Sequence, residues 1–199
     1  GSEITAAQYA EYKNGLDNAY IYYNNCEGIA DEYKHTYSTD FTEVKFGQGV
    51  GVADTEKYPE GAFGPELGLA EYWREFYTGE KLYIIKYAYG GTNLYSRWRS
   101  PSSVADDAAG GEVGDLYIKT VNFARNGIRL LEQKGLAPQI DALVWMQGES
   151  DATHYFTYYE RYAYFAEDMR NDLRDYSVKT GMAFIDGGIS LFSDVSVQP

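Results

Sequence analysis

Apolar and polar positions along the chain switch between two periods, and the switches mark out its elements. Residues 82–88, Leu82-Tyr83-Ile84-Ile85-Lys86-Tyr87-Ala88, form a near-continuous apolar run, the pattern of a strand covered on both faces in a parallel sheet. Residues 142–146 and 182–185 form shorter runs of the same kind, and residues 18–23, rich in aromatic and β-branched side chains, predict a further strand. Between these runs the spacing becomes helical. Leu67, Ala70, Trp73, Arg74 and Tyr77 predict a helix opened by Pro65 and Glu66 and stopped by Gly79. A second helix, over 115–134, carries Leu116, Thr120, Phe123, Gly127 and Leu131 on one face and ends at Gly135 and Pro138. A third has the stripe Tyr155, Tyr159, Tyr162, Ala166, Met169, Leu173 and Tyr176, broken by Gly181. Helices alternating with apolar strands imply an α/β protein with a parallel sheet and helices on both faces.

Two stretches escape both periods. Residues 24–61 are polar and glycine-bearing, with one candidate strand at 42–46, and residues 92–114 are rich in Ser, Asp and Gly. No internal repeat or low-complexity tract interrupts the pattern.

Composition narrows the function classes. A net charge of -13 over 199 residues repels phosphate backbones and anionic lipid, so neither nucleic acid nor membrane is an expected partner. No apolar window is long enough to span a bilayer. Cys26 is the single cysteine, which excludes an internal disulfide and cysteine-based zinc sites, and two histidines, His35 and His154, are too few for most metal sites. No metal is expected. The 21 tyrosines suit half-buried helix and strand positions, and some of them suit stacking on sugar rings.

The chemistry concentrates where the run 142–146 stops. Gln147, Glu149, Ser150 and Asp151 follow it at once, and residues just past the carboxyl end of a strand form the ligand crevice of α/β proteins. A carboxamide there can donate to a developing oxyanion, and a carboxylate can orient a histidine and stabilise its imidazolium. Asp151 reads as a helix N-cap or loop-orienting residue. Gly148-Glu149-Ser150-Asp151-Ala152 is one residue short of a Gly-x-Ser-x-Gly nucleophile elbow, but the required histidine late in the chain is missing. Gly90 and Gly91 end the 82–88 strand, where an N–H can point at a ligand or simply close a tight turn. Gly64 can supply a similar amide with Glu66 orienting its loop. Arg97 and Trp98 combine a cation and a ring that can grip a sugar carboxylate or stack on a pyranose, or else anchor a solvated loop.

Three blocks carry a family resemblance: Phe63-Gly64-Pro65-Glu66-Leu67, Lys81-Leu82-Tyr83-Ile84-Ile85-Lys86-Tyr87-Ala88-Tyr89-Gly90-Gly91-Thr92, and Trp145-Met146-Gln147-Gly148-Glu149-Ser150-Asp151. In order and separation the chain resembles, over about residues 18–190, the acetylesterase branch of the SGNH hydrolases, the sialate O-acetylesterases and carbohydrate esterase family 6 (acetylxylan esterase-like). The resemblance implies a three-layer flavodoxin-like fold and a cofactor-free serine esterase acting on acetylated sialic acid or xylan-type sugars. It implies oxyanion roles for Gln147 and Gly91. The triad acid is Glu149 in some members and an aspartate of a later block in others. The family's Gly-Gln-Ser-Asn block is expected before residue 1 and its Asp-x-x-His block after Pro199. Residues 1–199 are therefore expected to form a single domain truncated at both ends and missing its first strand. A flanking segment or a second chain would supply the nucleophilic serine and the histidine. Such a substrate suggests a secreted or periplasmic protein. The competing expectation is a non-catalytic carbohydrate-binding or assembly module of the same fold.

Overall fold

The structure is a computed structural model and describes residues 4–26, 35–49 and 61–187. Helices and strands are interspersed along it, and the protein is mixed α/β. Two units gather separately, Gly1–Gly91 with Arg129–Lys134, and Thr92–Ile128 with Gly135–Pro199. Parts of the 24–61 excursion, residues 27–34 and 50–60, lie outside the described residues.

The first unit opens with α1 (Ala6–Asn14), a helix the apolar pattern did not mark. Its start is a capping box: Gln8 N–H donates to Thr5 Oγ1 at 3.2 Å and Thr5 N–H donates to Gln8 Oε1 at 2.9 Å. Gly15, at φ 111°, turns the chain into β1 (Leu16–Cys26). One edge of β1 pairs in parallel with β4 (Leu82–Tyr89), from Ala19 opposite Leu82 to Cys26 opposite Tyr89. The rest of its pairing is antiparallel, to β2 (His35–Tyr37) at residues 24–26 and to β3 (Thr42–Val44) at residues 16–21. The expected parallel sheet is thus only partly realised here. β1 and β4 run parallel, with α2 (Glu66–Phe76) between them in the chain, while β2 and β3 both run antiparallel to β1. Leu67 and Ala70 of α2 pack with Tyr12, Leu16, Ala19, Ile21 and Val44 into this unit's core. Leu16 and Ile21 are fully buried, each worth about 1.5–3 kcal/mol of apolar transfer.

In the second unit, Pro101 begins the short α3 (Pro101–Asp106), inside the stretch 92–114 that follows neither period. Its exposed amides are met from α5 (Tyr155–Asp172): Asp168 accepts from Ser102 N–H at 2.8 Å and Ser102 Oγ–H at 2.7 Å, which accounts for a buried carboxylate. The amphipathic α4 (Asp115–Gln133) turns Leu116, Tyr117, Val121 and Ile128 inward, and the anticipated Thr120 and Phe123 sit half-buried at the edge of that face; its last residues, with the buried Leu131, belong to the first unit. Tyr117 donates to Asp172 at 2.7 Å, and burial followed by that contact pushes its phenol well above the ordinary tyrosine range. The strands β5 (Ala142–Trp145) and β6 (Ala183–Asp186) pair in parallel from Ala142–Ala183 to Trp145–Asp186. Their sheet packs on α5 through rings: Trp145 lies 4.3 Å from Phe165, and Tyr162 meets Phe184 edge-on at 5.5 Å.

The stripe expected on α5 is corrected at its start. Tyr155 is 60% and Tyr159 82% exposed, and Tyr158, Tyr162, Phe165, Met169 and Leu173 turn inward instead. No helix among the described residues is long and apolar enough to cross a membrane.

Candidate active site

In the first unit the Phe63–Leu67 block forms a tight polar knot. Glu66 is 1% exposed, accepts Gly64 N–H at 2.7 Å through Oε1, and pairs through Oε2 with Lys86 Nζ at 3.0 Å. Lys86 also donates to the carbonyl of Gln48 at 3.1 Å, and Asn25 Nδ2 donates to the same oxygen at 2.8 Å. A charged side chain inside an apolar strand requires such a partner, and Glu66 supplies it. The Gly64 amide is committed to Glu66, so Gly64 shapes the loop and holds no free donor for a substrate. Gly91, at φ 66°, is exposed at the end of β4, and its N–H makes no hydrogen bond among the described residues.

In the second unit the residues after β5 are held by one carboxylate. Asp151, 3% exposed, accepts from the N–H groups of Leu94 at 2.8 Å and Tyr95 at 3.0 Å, and from Gln147 Nε2. It ties the loop after β5 to the loop that begins at Thr92, and it caps no helix: residues Glu149–His154 form a 3-10 helix preceded by Gly148 at φ 147°. Gln147 Nε2 also donates to Thr92 O at 3.2 Å, and the Tyr158 hydroxyl donates to the Gln147 carbonyl at 2.8 Å, with Gln147 Oε1 farther off at 3.3 Å. Two acceptors, Thr92 O and Asp151 Oδ2, face the NH₂ end of the amide, which fixes its orientation. Burial pushes the Tyr158 phenol up, keeping it a donor at neutral pH.

The side chains of Glu149 and Ser150 make no hydrogen bond or ion pair among the described residues, and both residues are exposed. The elbow arrangement does not form. The His154 ring stacks on Tyr95 at 3.9 Å, its Nδ1 lies 3.0 Å from Thr153 Oγ1, and Ser150 does not reach it.

Arg97 and Trp98 are placed differently from the sugar-gripping expectation. Trp98 is 4% exposed, donates from Nε1 to Thr92 Oγ1 at 2.8 Å and meets Trp145 edge-on at 5.3 Å, so it is a core anchor. Arg97 forks onto Asp115 at 2.6 and 3.1 Å, and holds its carboxyl down at about 2 with help from Lys119. Tyr158, whose hydroxyl joins this network, carried no sequence signal, and Thr92 was marked only as the last residue of the 81–92 block. Lys86 did carry a signal, as the one charge in the otherwise apolar run 82–88.

Parallel strand pairs, helices between them and polar loops past their carboxyl ends define a mixed α/β protein. Residues 38–192, most of the chain, match the model of a family described as carbohydrate esterase, sialic acid-specific acetylesterase, and the protein belongs to that family. No curated protein and no solved structure matches the chain.

Proposed function

We propose that the protein is the central part of a serine O-acetylesterase that removes acetyl groups from carbohydrate, with the nucleophilic serine and the histidine supplied by polypeptide outside these 199 residues, flanking or on a second chain. The observation that carries the reading is the loop after β5, where Asp151 holds Gln147 in one orientation beside an uncommitted Glu149. The serine attacks the acetyl carbonyl and gives an acetyl-enzyme that water hydrolyses, with no cofactor. Gln147 exchanges its longer bond, to Thr92 O, for one to the developing oxyanion; this bond strengthens only as charge builds on the oxygen. Glu149 orients the incoming imidazole and stabilises its charged form.

The test is Gln147→Ala in protein that contains the serine and histidine blocks, assayed on an acetylated sugar. Losing one oxyanion donor lowers kcat on the order of 10²–10³-fold with little change in KM. An unchanged kcat would leave Gln147 a structural residue and remove it from the mechanism.

A further inference from the structure

The Gln147 side chain is one donor of the loop after β5, and the main chain beside it offers another. The carbonyl of Gln147 accepts the Tyr158 hydroxyl at 2.8 Å. Among the described residues no peptide is cis, so the Gln147–Gly148 peptide is planar and trans, with its N–H antiparallel to its carbonyl. Tyr158 stands on α5. With the carbonyl drawn toward that helix, the Gly148 N–H faces away from it. Gly148 is half-buried, and its N–H makes no hydrogen bond among the described residues. A backbone donor out of full contact with water and left unpaired is uncommon.

The next peptide is pinned as well. Gly148 O accepts from Asp151 N–H at 3.0 Å, and the Asp151 carboxylate is itself tied to the N–H groups of Leu94 and Tyr95. The backbone between the two pinned carbonyls has φ 147°, which glycine adopts and a side chain would strain. The loop therefore spends a glycine and two hydrogen bonds on the orientation of one peptide plane. Its neighbour, the Gln147 amide, is oriented by Asp151 and Thr92 O. A side-chain donor and a main-chain donor, each held in advance, are the parts from which an oxyanion hole is made.

We propose that the Gly148 N–H is a further oxyanion donor of the esterase site and that Tyr158 is its positioning residue. The proposal rests on the esterase reading above and deepens it. As the serine oxygen bonds to the acetyl carbon, its proton passes to the histidine and the carbonyl π pair moves onto the carbonyl oxygen. Gly148 N–H and Gln147 Nε2 donate to that oxygen as its charge builds. Tyr158 touches no reacting atom; it holds the peptide plane, and burial keeps its phenol protonated at neutral pH.

The test uses protein that contains the serine and histidine blocks, with 4-nitrophenyl acetate and the corresponding thionoester as substrates. An ester in place of the Gln147–Gly148 peptide, introduced by semisynthesis, removes the N–H and adds no side chain. It lowers kcat for the acetate on the order of 10²–10³-fold with little change in KM. The thionoester loses far less, because sulfur accepts hydrogen bonds poorly. Tyr158→Phe lowers kcat by about tenfold, the scale of one hydrogen bond. That loss persists in a Gln147→Ala background, since it acts through the peptide and not through the glutamine side chain. An unchanged kcat in the ester variant, or equal losses on the two substrates, would overturn the role of Gly148. A Tyr158→Phe effect that vanishes in the Gln147→Ala background would overturn the role of Tyr158, and this arm stands even if the ester variant does not fold. Gln147→Ala separates the two readings: a loss there with an unaffected ester variant strikes Gly148 alone, whereas no turnover in the unsubstituted protein strikes the esterase reading and this proposal with it.

Discussion

Asp151→Asn is the sharpest probe of the loop after β5. The carboxylate is 3% exposed and accepts three hydrogen bonds, from Leu94 N–H, Tyr95 N–H and Gln147 Nε2. Every group facing it is a donor. An asparagine offers one acceptor oxygen and turns an NH₂ toward one of those donors. The change removes a charge-assisted bond worth about 1.5–3 kcal/mol and strands a buried donor at about 1–3 kcal/mol. Partial relaxation of the loop leaves a loss of roughly 3–4 kcal/mol. At this chain length each kcal/mol shifts Tm by about 2–4 °C, so the midpoint drops by about 6–15 °C. Near-ultraviolet circular dichroism is the right assay, since Trp98 and Trp145 lie in the same unit as Asp151 and report its packing. A drop under ~2 °C would refute the reasoning, because it would mean that the three donors find other acceptors at no cost.

Arg97→Ala should raise the Asp115 titration from about 2 toward its ordinary 3.8, read by carboxyl-carbon NMR. Because the folded value lies below the unfolded one, this contribution to stability is present above about pH 4 and is lost as pH falls through about 2. The pair is partly exposed, so its worth is about 0.5–1 kcal/mol, and an unmoved titration would refute the assignment to Arg97. Gly64→Ala places a methyl 2.8 Å from Glu66 Oε2 and 3.1 Å from Lys86 Nζ, and should cost about 1–3 kcal/mol in denaturant unfolding. A neutral result would mean that the buried pair yields freely.

The helical and strand patterns located α2, α4, β4, β5 and β6 to within three residues of their observed ends, because those elements have one clearly apolar face or run. Tyrosine blurred α5. Its ring counts as apolar in any pattern, yet its hydroxyl lets it stand in water, and Tyr155 and Tyr159 do so. The signals for α1 and α3 were local rather than periodic: Thr5 with Gln8 makes a capping box, and Ser100-Pro101 marks a helix start. Around Gln147 the limit was distance along the chain. Asp151 acts on amides some 56 residues earlier, a partnership that no local pattern encodes. Trp98 misled for a related reason, since its indole is buried against Trp145 and looks like a loop aromatic until that neighbour is known.

The parallel pairing of β5 with β6 also constrains the order of assembly. Ala142 meets Ala183, 41 positions later, and four residues of ladder are a small return for closing so long a loop. Nearly half of the intervening chain is α5, whose contacts are local in sequence and form quickly. Once wound, α5 replaces a flexible tether by a rod about 27 Å long at 1.5 Å per residue, and its rings carry the two strands to the same side. The strand that ends at the Gln147 loop thus acquires its partner last. Nascent chain that has not yet delivered residues 183–186 leaves that loop's strand without its neighbour.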